Sequence, residues 1–67
     1  MIRLTAVHVP DGREKELGTF PFVQTTYDVV RVGPEGETEI LTFQDGYWRE
    51  RDGTKWTDFI VAPEEVK

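Results

Sequence analysis

The chain has 67 residues, with 13 acidic and 8 basic side chains and a formal net charge of −5. That length allows one domain, residues 1–67, and so short a chain buries only about 60% of the surface that it exposes when unfolded. It has no cysteine, which excludes disulfides and thiolate metal sites, and its negative charge disfavours direct binding to bare phosphate backbones.

Residues 2–9 alternate Ile2, Leu4, Ala6 and His8 against Arg3, Thr5, Val7 and Val9, which predicts a first strand. Pro10-Asp11-Gly12 is turn chemistry, because proline presets φ and glycine accepts a positive one. Residues 13–17 have the only locally helical composition. Five residues are too few for an isolated helix, so one turn or a loop is expected, ended by Gly18. Residues 19–32 are rich in β-branched and aromatic types and read as one long strand. It should bend near residues 24–26 and serve two sheet segments, with Pro21 at an edge. Residues 33–37 read as a loop that lets Val32 pair back to Thr38 and Val30 to Ile40.

Residues 38–61 organise the chain. They hold both tryptophans and two Asp-Gly pairs, each between segments of strand composition. Asp-Gly in that setting predicts a hairpin, so a three-stranded antiparallel meander is expected over residues 38–44, 47–51 and 54–61. A two-residue turn at Asp45-Gly46 sets Phe43 opposite Trp48, Thr42 opposite Arg49 and Gln44 opposite Tyr47. A second such turn at Asp52-Gly53 would set Glu50 opposite Lys55, Arg49 opposite Trp56 and Trp48 opposite Thr57. Leu41, Phe43, Trp48, Phe59 and Val61 then share the core face; Ile40, Thr42, Tyr47, Arg49, Trp56 and Ile60 share the other. A competing register exists at either turn: a type I turn with glycine in a G1 bulge moves the pairing by one residue and turns a strand over. Residues 62–67 start with Ala-Pro and end in charge, so a frayed tail or one closing turn is expected.

The expected fold is all-β: about five antiparallel strands in a small barrel or curled sheet of SH3-like size class, with the meander at its C-terminal end. Catalysis lacks its parts, since serine and cysteine are absent and His8 stands alone. No metal-ligand or phosphate-loop spacing appears, so neither enzyme activity nor a cofactor is expected. No run approaches the roughly 18–20 apolar residues that span a bilayer, and residues 1–15 lack a signal h-region. A cytoplasmic protein with no membrane partner is expected.

The functional expectation is a small acidic binding module whose partner is another protein. Exposed Tyr and Trp beside Arg are typical of interface hot spots, so Tyr47, Arg49 and Trp56 are the expected binding residues. In this register the Arg49 guanidinium would lie on the Trp56 ring. Two alternatives stay open. One is a phage- or host-type acidic inhibitor or regulator that occupies a basic nucleic-acid-binding surface. The other is a structural subunit completed by homo-oligomerisation.

Overall fold

A computed structural model of the chain describes residues 1–63. Every regular element in it is a strand: β1 (Ile2–His8), β2 (Arg13–Phe20), β3 (Val23–Thr25), β4 (Val29–Val32), β5 (Thr38–Gln44), β6 (Tyr47–Arg49), β7 (Lys55–Trp56) and β8 (Asp58–Pro63). They form two antiparallel sheets, one in the order β2-β1-β8 and the other in the order β3-β4-β5-β6-β7. The all-β expectation therefore holds. Among the described residues the strand count is eight rather than five, and neither sheet closes into a barrel.

Most of the added strands come from bends that the composition does not announce. Residues 13–17, expected as a turn or loop, belong to β2, which pairs along β1 from His8↔Arg13 to Ile2↔Phe20. Pairing outweighs local propensity here, because β1 offers a complete ladder to whatever sequence lies beside it. The register shifts between Leu4 and Thr5, so Leu17 is an extra residue on β2 and packs against the core. The expected long strand over residues 19–32 is cut twice. Pro21 and Phe22 form the corner between β2 and β3, where Phe22 O accepts the Gly33 N–H at 3.2 Å. The bend near residues 24–26 is a full reversal: Thr26 N–H donates to Val29 O at 2.9 Å, and β3 pairs with β4.

The expected third meander strand also divides. β7 stays with β6, whereas β8 crosses to the other sheet and pairs with β1 from Val7↔Asp58 to Ile2↔Pro63. Thr57 is the corner. Its N–H donates to Val7 O at 3.0 Å, and its hydroxyl accepts the Val9 N–H at 2.9 Å. Ala62 and Pro63, expected in a frayed tail, end β8; residues 64–67 lie outside the described part.

The core lies between the sheets. Leu4 and Ala6 from β1, Val30 and Val32 from β4, Leu41 from β5 and Trp56 from β7 are buried, and Leu17, Phe20, Val23, Ile40, Trp48 and Phe59 pack around them. Val32 pairs with Thr38 as expected. Val30, however, faces Leu41 rather than Ile40, because β5 carries a bulge at Ile40.

Candidate functional site

The two Asp-Gly hairpins differ, and that difference decides which residues reach the surface. Asp45 and Gly46 both have positive φ, 54° and 82°, which makes a two-residue turn. Across it Phe43 pairs with Trp48, Thr42 with Arg49 and Gln44 with Tyr47, as the sequence predicts. The second hairpin takes the competing form. Gly53 N–H donates to Glu50 O at 3.0 Å, Glu50 N–H donates to Thr54 O at 2.9 Å, and Gly53 has φ 95°. Three residues, Arg51-Asp52-Gly53, thus make the loop, which is a turn closed by a glycine bulge. The Asp52 carboxylate accepts the Thr54 N–H at 2.9 Å, and that bond is the main cause of its lowered pKa.

Arg49 consequently pairs with Lys55, and Trp48 with Trp56. The one-residue slip turns Trp56 inward, where it is 4% exposed. The expected site of Tyr47, Arg49 and Trp56 is therefore not one surface: Tyr47 and Arg49 stand on the outer face of the five-stranded sheet, and Trp56 is core. Burying the large indole surface favours this register over one that would leave it in water. The expected Arg49–Trp56 stack is absent. Arg13 takes that place at 5.6 Å from the Trp56 ring centroid, and Lys55 sits 5.5 Å from that of Tyr47.

Trp56 anchors a polar junction between the sheets. Its Nε1–H donates to Glu50 Oε2 at 2.9 Å, and Lys15 Nζ donates to Glu50 Oε1 at 2.9 Å. That contact holds the Lys15 pKa above its usual 10.5. Arg13 Nε reaches Asp11 Oδ2 at 2.6 Å, and His8 Nδ1 lies 2.9 Å from Asp11 Oδ1. Donation from the Arg13 backbone N–H, helped by His8 and the Arg13 side chain, lowers the Asp11 pKa to about 2. This junction braces the β1–β2 turn against the β6–β7 loop. Among the described residues no group of three His, Asp or Glu side chains is placed to hold a metal ion.

Two surfaces remain as candidates. The first is the outer face of the five-stranded sheet, where Val29, Thr42, Arg49 and Lys55 form one row across four strands. Arg49 Nη2 reaches Asp45 Oδ2 at 3.5 Å, while its Nε is buried without a hydrogen-bond partner. Beside this row lies an open cleft of about 520 Å³, lined by Arg31, Gly36, Glu37, Thr38, Glu39, Thr42 and Arg51.

The second surface is the outer edge of β8, which has no strand beside it among the described residues, with the aromatic strip next to it. Phe43, Trp48 and Phe59 pack in sequence, the first pair tilted and the second edge to face, with centroids 5.1 Å and then 4.8 Å apart. Phe43 is 41% and Val61 40% exposed. The sequence alone gave these residues to the core, because alternation assigns a face but not how completely the facing sheet covers it. No protein-family model matches the chain, and no curated protein or solved structure matches it.

Proposed function

We propose that this chain is a small, non-enzymatic, cytoplasmic module that binds another protein by taking up an extended segment along β8. The observation that carries this reading is the contrast among the sheet edges. An unpaired edge is a template for another strand, and proteins blunt such edges with charge, shortness or proline. β2 carries four charged residues in a row, 13–16; β3 has three residues and follows Pro21; β7 has two. β8 instead presents Phe59-Ile60-Val61-Ala62, four consecutive apolar residues, with Ile60 50% exposed. An added strand would find backbone partners on β8 and apolar cover on Phe43, Trp48 and Val61. It would also carry the three-stranded sheet one step towards the small barrel expected from the sequence.

Charge selects the occupant. A second copy would bring another net charge of −5 against the first, so self-pairing meets repulsion, whereas a segment with Lys or Arg flanking its apolar residues is attracted. The test is selection from a displayed peptide library, followed by amide-shift mapping of the tightest peptide. Selected sequences should alternate apolar residues between basic flanks and shift the amides of residues 59–62. Ile60→Lys should abolish binding and leave the melting curve in place. Shifts confined elsewhere, unchanged binding by Ile60→Lys, or a dimer that Ile60→Lys dissociates would each overturn the reading.

A further inference from the structure

We propose that the cleft on the outer face of the five-stranded sheet is a subsite for a small zwitterion, a molecule carrying one carboxylate and one ammonium group. The argument is independent of β8 and begins with the basic side chains. Arg3 pairs with Glu16, Arg13 with Asp11, Lys15 with Glu50, Arg31 with Glu39 and Arg49 with Asp45, and Lys55 lies over Tyr47. Arg51 alone among the described basic residues has neither an acid nor a ring against it, and it lines the cleft. A guanidinium is a planar fork of donors that matches a carboxylate in a bidentate pair. Thr38 and Thr42 line the same cleft, as does Arg31, and Thr42 pairs with Arg49, so a further guanidinium stands one strand away.

The acids of the cleft decide the rest of the ligand. Glu37 and Glu39 line it together with Arg31 and Arg51, so its walls hold as many negative as positive charges. Glu39 is engaged by Arg31 at 2.8 Å, and Glu37 Oε2 accepts the Glu35 N–H at 3.0 Å, which fixes that carboxylate in place. A phosphate dianion would answer Arg51 but bring two negative charges beside two glutamates on a chain of charge −5. A monocarboxylate answers Arg51 at less cost, and an ammonium on the same molecule offsets the negative charge that Glu37 and Glu39 bring to the walls. The cleft volume falls in the roughly 300–1,000 Å³ range of small-molecule sites. Its open, polar walls imply modest affinity with selection by charge spacing.

The experiment is an amide-shift titration of the whole chain with glycine, β-alanine and longer ω-amino acids. Acetate, ethylammonium and inorganic phosphate are the single-charge and dianion controls. One chain length should bind about tenfold tighter than acetate or ethylammonium, moving Gly36, Thr38 and Thr42, and Arg51→Gln should weaken it about tenfold. Thr42→Val, which removes a hydroxyl and keeps the shape, should weaken it as well. Acetate or phosphate binding as tightly as the best amino acid overturns the assignment, as do absence of saturable binding, shifts elsewhere or indifference to Arg51→Gln. A Lys-Glu dipeptide blocked at both ends carries the same two charges on side chains. If it binds tighter than every free amino acid, the ligand is a polypeptide segment and the small-molecule assignment falls.

Discussion

The indole of Trp56 and the carboxylate of Glu50 are joined by a 2.9 Å hydrogen bond across the β6–β7 loop, and the other Glu50 oxygen takes Lys15 from the facing sheet. Ring and carboxylate are thus set by the same three-residue loop. A two-residue turn would have put Glu50 opposite Lys55 and Trp56 in solvent. Trp56→Ala should therefore cost about 3–5 kcal/mol, enough to unfold a domain of this size. Trp48, half-buried at the strip, should cost less when truncated. Urea melts of the two variants check the order. A Trp56→Ala protein as stable as Trp48→Ala would show that Trp56 is not core.

Glu50 offers a finer test of the junction. Glu50→Ala leaves the indole N–H of Trp56 without its acceptor in a part-buried position, a loss of about 1–3 kcal/mol. Glu50→Gln keeps an acceptor oxygen and should recover most of that loss. Equal melting midpoints for the two variants would mean that the hydrogen bond contributes nothing and that only the charge matters.

The hairpin glycines test backbone conformation apart from packing. A Cβ at Gly46 or Gly53 meets no atom within 4 Å, yet both residues have positive φ. Valine at either position should cost about 1–2 kcal/mol or more, all of it conformational. Gly46→Asn should cost clearly less than Gly46→Val, since asparagine accepts the left-handed region. Thermal melts read both comparisons, and tolerance of valine at both sites would refute the turn geometry.

Acid should weaken the β1–β2 turn through Asp11. Its folded pKa, about 2, lies below the ordinary 3.8, chiefly through the Arg13 backbone N–H, so its contribution is present above about pH 4 and disappears as pH falls towards 2. Asp52 is lowered by Thr54 and adds to the same acid limb. Asp11→Asn should be less stable than the parent at neutral pH, and the two should converge as the pH approaches 2. Melting temperatures measured from pH 7 downward check this; a constant gap would remove Asp11 from the acid response.

The strand character of the chain was legible wherever alternation and turn chemistry agreed, as in β1, at the Asp45-Gly46 turn and in the pairs across it. It failed where tertiary pairing decided. Nothing local tells Arg13-Glu14-Lys15-Glu16 to extend; β1 does. The register at Asp52-Gly53 was open between two turns of nearly equal local merit, and burial of one indole chose between them. Tyr47 and Arg49 were placed on the outer face because the Asp45-Gly46 turn took the two-residue form of the two open to it, whereas Trp56 was lost with the register. The free edge of β8 could not be read at all, because composition does not reveal which strands end up without a neighbour.

The corner at Thr57 has a consequence for the order in which the chain assembles. β3 to β7 are successive hairpins, each closed by a short connection, so that sheet can form from local contacts alone. β1 is different: its two neighbours lie at residues 13–20 and 58–63, and the second requires closing a loop that spans nearly the whole chain. During synthesis the first strand must therefore wait, paired on one side only, until residues 58–63 have emerged. The Leu4 and Ala6 side of the core is completed last, by the strand that also carries the open edge.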